Sequence, residues 1–171
     1  KNKRPLIYLP QPREEDLVIA QDAGYLTYPV IDLTKYKKAD EVGTLFKEYN
    51  LEQVNKMQVS KQADIMILFF LMEDLFPIEV KRANWNYYEP KTLHDSSLSL
   101  STHTILANDM KDKKMAYELF QRAIRIDAGE NMKTSDAGIH AASIAGIWQS
   151  VVYGFGGVRM LHGNLRVCPA L

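Results

Sequence analysis

Three short polar clusters carry most of the chemistry open to this chain: Lys61-Gln62, His94-Asp95-Ser96-Ser97, and Asp136 to His140. Each stands directly before an apolar run. A helix beginning at such a cluster presents free backbone N–H groups and a partial positive charge beside side-chain donors, which suits an anion such as phosphate. The hydroxyls of Ser96 and Ser97 and the imidazole of His140 are apt donors to it. A carbohydrate asks for amide and charged groups that bond its hydroxyls, and for aromatic faces against its C–H surface. Lys61, Gln62, Tyr87, Tyr88 and Trp148 could supply these.

Plainer roles compete. Ser96 and Ser97 are good N-caps, and capping is compatible with binding a ligand. His140 and His94 could be hydrogen-bonded core histidines, and His103, well inside its helix, is expected to be one. Lys61 could merely solvate a helix end, Asp64 and Asp136 could cap, and burial tendency places Trp148 in the core. No histidine and carboxylate set has zinc spacing, and Walker, Rossmann and nucleophile-elbow patterns are absent. The lone Cys168 is a poor nucleophile candidate and cannot form an internal disulfide.

The elements that must position these clusters follow from periodicity. Lys61 to Met72 is apolar on every side after its first turn, the pattern of a helix buried all round. Pro77 opens a second helix to about Tyr88, with Glu79, Lys81 and Arg82 as its wet face. Leu98 to Ala107 reads as a buried helix capped by Ser or Asp. Lys111 to Ile126 is amphipathic, with Met115, Ala116, Leu119, Phe120, Ala123 and Ile124 on one stripe. Ile139 to Phe155, rich in small and apolar residues, reads as a third buried helix. Buried and amphipathic helices therefore alternate, with inner starts about 40 residues apart, the spacing of helical hairpins. The fold class is all-α, and burial patterning favours a closed α/α barrel over a solenoid.

Three segments are expected: an irregular connector at 1–50, where Asp40 to Tyr49 could form a short helix; a pocket-bearing helical segment at 51–160; and a terminal piece at 161–171. Lys1 is not an initiator methionine and 167–171 is apolar, so both ends read as cuts. Lys plus Arg equals Asp plus Glu at 21 each, which disfavours a nucleic-acid or anionic-lipid partner. No apolar run approaches the roughly 20 residues that span a bilayer. The cytoplasm is the expected compartment.

Lys61-Gln62-Ala63-Asp64, the block Asn86-Tyr87-Tyr88-Glu89-Pro90-Lys91-Thr92-Leu93-His94-Asp95-Ser96-Ser97-Leu98-Ser99, Asp136-Ala137-Gly138-Ile139-His140 and Ala145-Gly146 together resemble the glycoside hydrolase family 65 phosphorylases of maltose, trehalose and kojibiose. The likeness runs in order from about Ala20 to the C-terminus. It implies part of an (α/α)6 barrel that cleaves a maltose-like α-glucosyl disaccharide with inorganic phosphate, giving β-glucose 1-phosphate. It implies no metal or organic cofactor, phosphate being a co-substrate. It also implies that Lys61 and Gln62 bind glucose and that Ser96, Ser97 and His140 bind phosphate. The general acid glutamate of the family belongs upstream, and none of Glu14, Glu15, Glu73 or Glu89 takes its place. Where the family carries His-Glu-Ser-Ser, this chain has His94-Asp95-Ser96-Ser97, a carboxylate one methylene shorter. Beyond Leu165 the chain resembles the lead-in to a β-rich domain. A homo-oligomer is expected for the full-length enzyme. The competing readings are a hydrolase of the same family, which would turn over without phosphate, and a non-catalytic helical scaffold or carbohydrate-binding piece.

Overall fold

A computed structural model describes residues 10–37, 43–128 and 138–170. Two single-turn helices, α1 (Thr34–Lys37) and α2 (Leu51–Val54), precede five longer ones: α3 (Asp64–Leu71), α4 (Ile78–Tyr88), α5 (Ser99–Asp109), α6 (Lys113–Ala128) and α7 (Ala141–Gln149). The last continues into a π-helical turn, Ser150–Phe155, and an antiparallel hairpin of β1 (Val158–Leu161) and β2 (Asn164–Val167) follows. Asp136 and part of the proposed Asp40 to Tyr49 helix lie outside the described residues; Thr44–Lys47 within that stretch forms a 3-10 turn.

Helix α5 is the centre. Nearly all of it is buried, including Ser99, Ser101, His103, Thr104 and Asn108. Its polar side chains tolerate this partly by bonding their own helix: Thr104 Oγ1 donates to the Leu100 carbonyl at 2.8 Å and Asn108 Nδ2 to that of Thr104 at 3.1 Å. Around it pack α3, α6 and α7. Helix α6 turns Ala116, Leu119 and Ala123 inward, as its stripe requires. Gly146 of α7 meets α5 so closely that a Cβ there would stand 2.5 Å from Ser101 Oγ, and one on Gly154 would stand 3.0 Å from Asn108 Nδ2. Rising numbers on α7 thus face rising numbers on α5, so these two helices are parallel. Ser96 touches Gln62 before α5 and α3 begin, while Arg159 bridges Asp109, the last residue of α5, and Glu73, just past α3, so α3 runs the same way.

Several expectations shift. Lys81 is buried rather than wet, its ammonium donating to the Glu73 carbonyl at 2.7 Å. Helices α3 and α7 are covered on one side and open on another: Leu71 is 71% exposed and Trp148 58%, although the sequence placed Trp148 in the core. Helix α5 begins after Leu98 with no side-chain cap, so neither Ser96 nor Ser97 caps it. The 17–19 segment enters the core because α4 offers it polar partners: Asn84 Oδ1 accepts from Ile19 N at 2.8 Å, Asn84 Nδ2 donates to the Leu17 carbonyl at 2.9 Å, and the Tyr88 hydroxyl donates to the Ile19 carbonyl at 2.6 Å. Periodicity carries no signal for such contacts.

The hairpin closes over the far ends of the inner helices. Its two-residue turn, His162-Gly163, has positive φ at both positions, as a tight hairpin turn demands. Gly157, at φ +59°, lies where a Cβ would stand 1.9 Å from the Cys168 carbonyl oxygen, so only glycine fits. No described helix is long and apolar enough to cross a membrane.

Candidate functional site

A short parallel bridge builds the site. Ser60 N donates to the Lys91 carbonyl and Leu93 N to the Ser60 carbonyl, both at 2.9 Å, pairing Ser60 with Thr92. The chain leaves this bridge in two directions, as Lys61-Gln62 into α3 and as His94 to Ser97 into α5. The two polar clusters are thereby set side by side: Ser96 Oγ donates to Gln62 Oε1 at 2.7 Å and accepts from Leu98 N at 3.3 Å. Asp95, the shortened carboxylate, accepts from Gly43 N at 3.0 Å through Oδ2. Ser97 is half-buried on the same turn, and Lys61 is exposed. Among the described residues Lys61 has no ion pair.

His140 stands at the N-cap of α7, at the same end. The contact of Gly146 with Ser101 fixes that level, since His140 lies six residues before Gly146 and Ser96 five before Ser101. His140 does not bond the serines. Its backbone N donates to Asp127 Oδ1 at 3.0 Å and its Nδ1 lies 2.9 Å from the same oxygen, a hydrogen bond that holds the Asp127 carboxyl below its ordinary range. The structure therefore brings Gln62 and Ser96 into contact and places Ser97 and His140 at one end without joining them.

Helix ends differ in a way that bears on an anion. Helix α2 has a full capping box on Asn50 and Gln53, and Asp112 accepts from Met115 N at the start of α6. Helices α3, α5 and α7 begin without a side-chain cap. The outer helix α4 also lacks one, but it starts on Pro77 at the opposite end. Three parallel inner helices thus turn uncapped N-termini toward Gln62, Ser96, Ser97 and His140, each start favouring negative charge by about 0.3–1 kcal/mol.

Beneath the serine loop lies a cluster that sequence reasoning missed. Glu89, just past α4, has its Oε1 3.0 Å from His94 Nε2 and its Oε2 2.5 Å from His103 Nδ1. Burial alone would raise the Glu89 carboxyl, but hydrogen bonds from His103 and His94 outweigh it and hold the group below the usual carboxylate range. Burial pushes His94 down to about 4, so its ring is neutral. The three side chains carry donor atoms within 4.8 Å of one another, a composition able to bind a metal ion. His103 was expected to be a satisfied core histidine; it is buried, yet among the described residues its Nε2 has no hydrogen-bond partner. The aromatic candidates are mostly occupied: the Tyr88 ring is buried, Tyr87 donates its hydroxyl to Gln58, and Lys91 Nζ sits 3.7 Å from the Tyr87 ring centroid. Trp148 remains open.

A cleft of about 550 Å³ opens at the other end of the inner helices, lined in part by Glu73, Lys81, Asp109, Arg159 and Arg166. Glu73, Asp109, Arg159 and Arg166 in its lining are ion-paired with one another.

Residues 4–149 match the family model of the glycosyl hydrolase family 65 central catalytic domain. A kojibiose phosphorylase of Halothermothrix orenii is 45% identical over 100% of this chain and 22% of its own length. An alpha,alpha-trehalose phosphorylase of Thermoanaerobacter brockii is 36% identical over 96% of the chain and 21% of its own length. A solved structure from the human microbiome, provisionally assigned as a kojibiose phosphorylase, superposes with a TM-score of 0.84 at 32% identity, covering 94% of this chain and 24% of that one. The chain spans about a fifth of the curated relatives it matches. The chain belongs to glycosyl hydrolase family 65, as a stretch of its central catalytic domain, an (α/α)6 barrel.

Proposed function

We propose that this chain is the pocket-bearing stretch of an inverting disaccharide phosphorylase, which cleaves an α-glucosidic disaccharide with inorganic phosphate to β-glucose 1-phosphate and a free sugar. The observation that carries the reading is the Ser60 to Thr92 bridge, which sets Gln62 against Ser96 where three inner helices begin uncapped. Ser96, Ser97 and His140 hold phosphate, and Lys61 and Gln62 hold the glucosyl hydroxyls. Ser96 has one hydroxyl proton, now given to Gln62. Donating it to phosphate instead frees Gln62 Oε1 to accept from a sugar hydroxyl, so each ligand prepares the site for the other. A phosphate oxygen attacks the anomeric carbon from the face opposite the leaving sugar, whose oxygen is protonated by a glutamic acid outside this chain.

No metal or organic cofactor enters this scheme. The compartment is the cytoplasm and the full-length enzyme is a homo-oligomer. Maltose is the first substrate on the sequence reading, and kojibiose stands beside it because of the relative at 45% identity. The test is turnover by the full-length protein on maltose, trehalose, kojibiose and nigerose, with and without phosphate, reading β-glucose 1-phosphate and free glucose. Phosphate-dependent sugar phosphate supports the scheme and names the substrate. Glucose released equally without phosphate contradicts it and makes the enzyme a hydrolase.

A further inference from the structure

His94 holds a backbone conformation that is uncommon for a residue other than glycine. Its φ is +60°, in the left-handed region, which few residues other than glycine occupy and which histidine enters more readily than most; here its contacts hold it there. The His94 side chain is 0% exposed, and both ring nitrogens are engaged: Nδ1 lies 2.8 Å from Ser99 Oγ and Nε2 3.0 Å from Glu89 Oε1. Glu89 is itself fixed from three sides, by His94, by His103 Nδ1 at 2.5 Å, and by Lys37, whose ammonium lies 3.6 Å from Oε1 and donates to the Glu89 carbonyl at 2.8 Å. The His103 ring stands edge-on to His94, centroids 4.6 Å apart, with Trp85 packed beside it at 5.4 Å. The reversal at His94 carries the chain across the start of α5, where Ser96 meets Gln62.

We propose that Glu89 is a positioning residue: it locks His94 in the left-handed conformation that aims Ser96 and Ser97 at phosphate. The inference rests on the phosphate reading above. Proton placement fits it. A Glu89 carboxylate accepts from His94 Nε2–H and His103 Nδ1–H, which leaves His94 Nδ1 to accept from the Ser99 hydroxyl, so every contact of the lock has a donor and an acceptor. A metal ion at the same three residues is disfavoured by the geometry: the carboxylate already lies between the two rings at hydrogen-bond distance, and the Lys37 ammonium occupies its flank.

The experiment is steady-state kinetics of the full-length protein, wild type against Glu89→Gln, which keeps the shape but replaces one acceptor oxygen by a donor. The wild type must first require phosphate; turnover without it removes the phosphate reading, and the inference with it. Given that requirement, Glu89→Gln is expected to raise KM for phosphate on the order of tenfold while KM for the disaccharide stays within about threefold. Asparagine tolerates the left-handed region, so in a His94→Asn background the same change is expected to add little. Equal rises in both KM values, or a lower Tm with unchanged kinetics, overturns the proposal, as does additivity in the double variant. Loss of wild-type activity to a chelator with recovery on adding zinc also overturns it, in favour of a metal. If Glu89→Gln does not fold, Ser99→Ala, which removes the other anchor of His94, decides: a raised phosphate KM supports the lock and an unchanged one refutes it.

Discussion

Both ends of the inner helices bury charge, and they do it with different chemistry. At the far end Arg159 donates through Nε to Glu73 at 2.8 Å and lies 3.2 Å from Asp109, while Arg166 also pairs with Glu73. A guanidinium is charged at every ordinary pH, so this end is permanently fastened, and it ties the hairpin to α3 and α5. At the near end Glu89 is held by hydrogen bonds to two imidazoles, the inner helix starts are uncapped, and the serine loop crosses a residue at positive φ. One end spends its polar groups on itself, whereas the other leaves hydroxyls and N–H groups facing outward. On the proposed reading, that difference separates an end that holds the fold from one that receives the phosphate.

The contrast breaks most readily at Arg159. Replacing it by Met leaves the Asp109 carboxylate without its cation and Glu73 with Arg166 alone, and a loss of about 3 kcal/mol in denaturant unfolding is expected. Phosphorolysis per folded molecule should be unchanged. The mirror experiment is His140→Ala, at a side chain 31% exposed. It is expected to cost about a hundredfold in kcat/KM for phosphate, the scale of a donor to a reacting anion, with stability altered by less than about 1 kcal/mol. A large stability loss with intact kinetics would reverse the roles of the two ends.

Acid sharpens the comparison. His94 titrates at about 4 in the folded chain against 6.5 ordinarily, so below pH 6.5 the unfolded chain takes up a proton that the folded one refuses. Stability present above pH 6.5 is therefore lost as pH falls toward 4, by up to about 1.4 kcal/mol per pH unit. The depressed Glu89 carboxyl adds loss of the same sign below its own ordinary range. At the far end burial pushes the Asp109 carboxyl up, so its contribution has the opposite sign and is lost as pH rises. Unfolding midpoints across pH 4–7 for wild type and His94→Asn separate them, the variant losing the slope if His94 causes it. The smallest effect is expected at the rim, where His162 pairs with Asp74 at 2.7 Å but is 77% exposed. His162→Ala should shift stability by no more than about 1 kcal/mol.

The near end was partly legible before any coordinates. Polar residues opening apolar runs placed Gln62, Ser96 and His140 at helix starts, because an N-terminus leaves a local signature. The alternation of apolar and amphipathic stretches gave the layered helices, and the stripe of α6 matched its buried face. Long-range pairing was not legible. Glu89, His94 and His103 sit on a 3-10 turn, the loop after it and α5, with only a Glu-Pro turn and two scattered histidines as a trace. Lys81 read as solvent-facing because charge usually is, yet the Glu73 carbonyl makes its burial tolerable. Ser96 and Ser97 read as caps because local spacing favoured it, whereas the Ser60 bridge drew Ser96 to Gln62 instead.

The division of labour between the two ends is tested most directly by calorimetric titration of inorganic phosphate into the full-length protein, comparing wild type, Ser96→Ala and Arg159→Met at a temperature where all three are folded. The expected result is affinity weakened about tenfold in Ser96→Ala and unchanged in Arg159→Met. Full affinity in Ser96→Ala, or weakened binding in a folded Arg159→Met, would contradict the placement of phosphate at the uncapped helix starts.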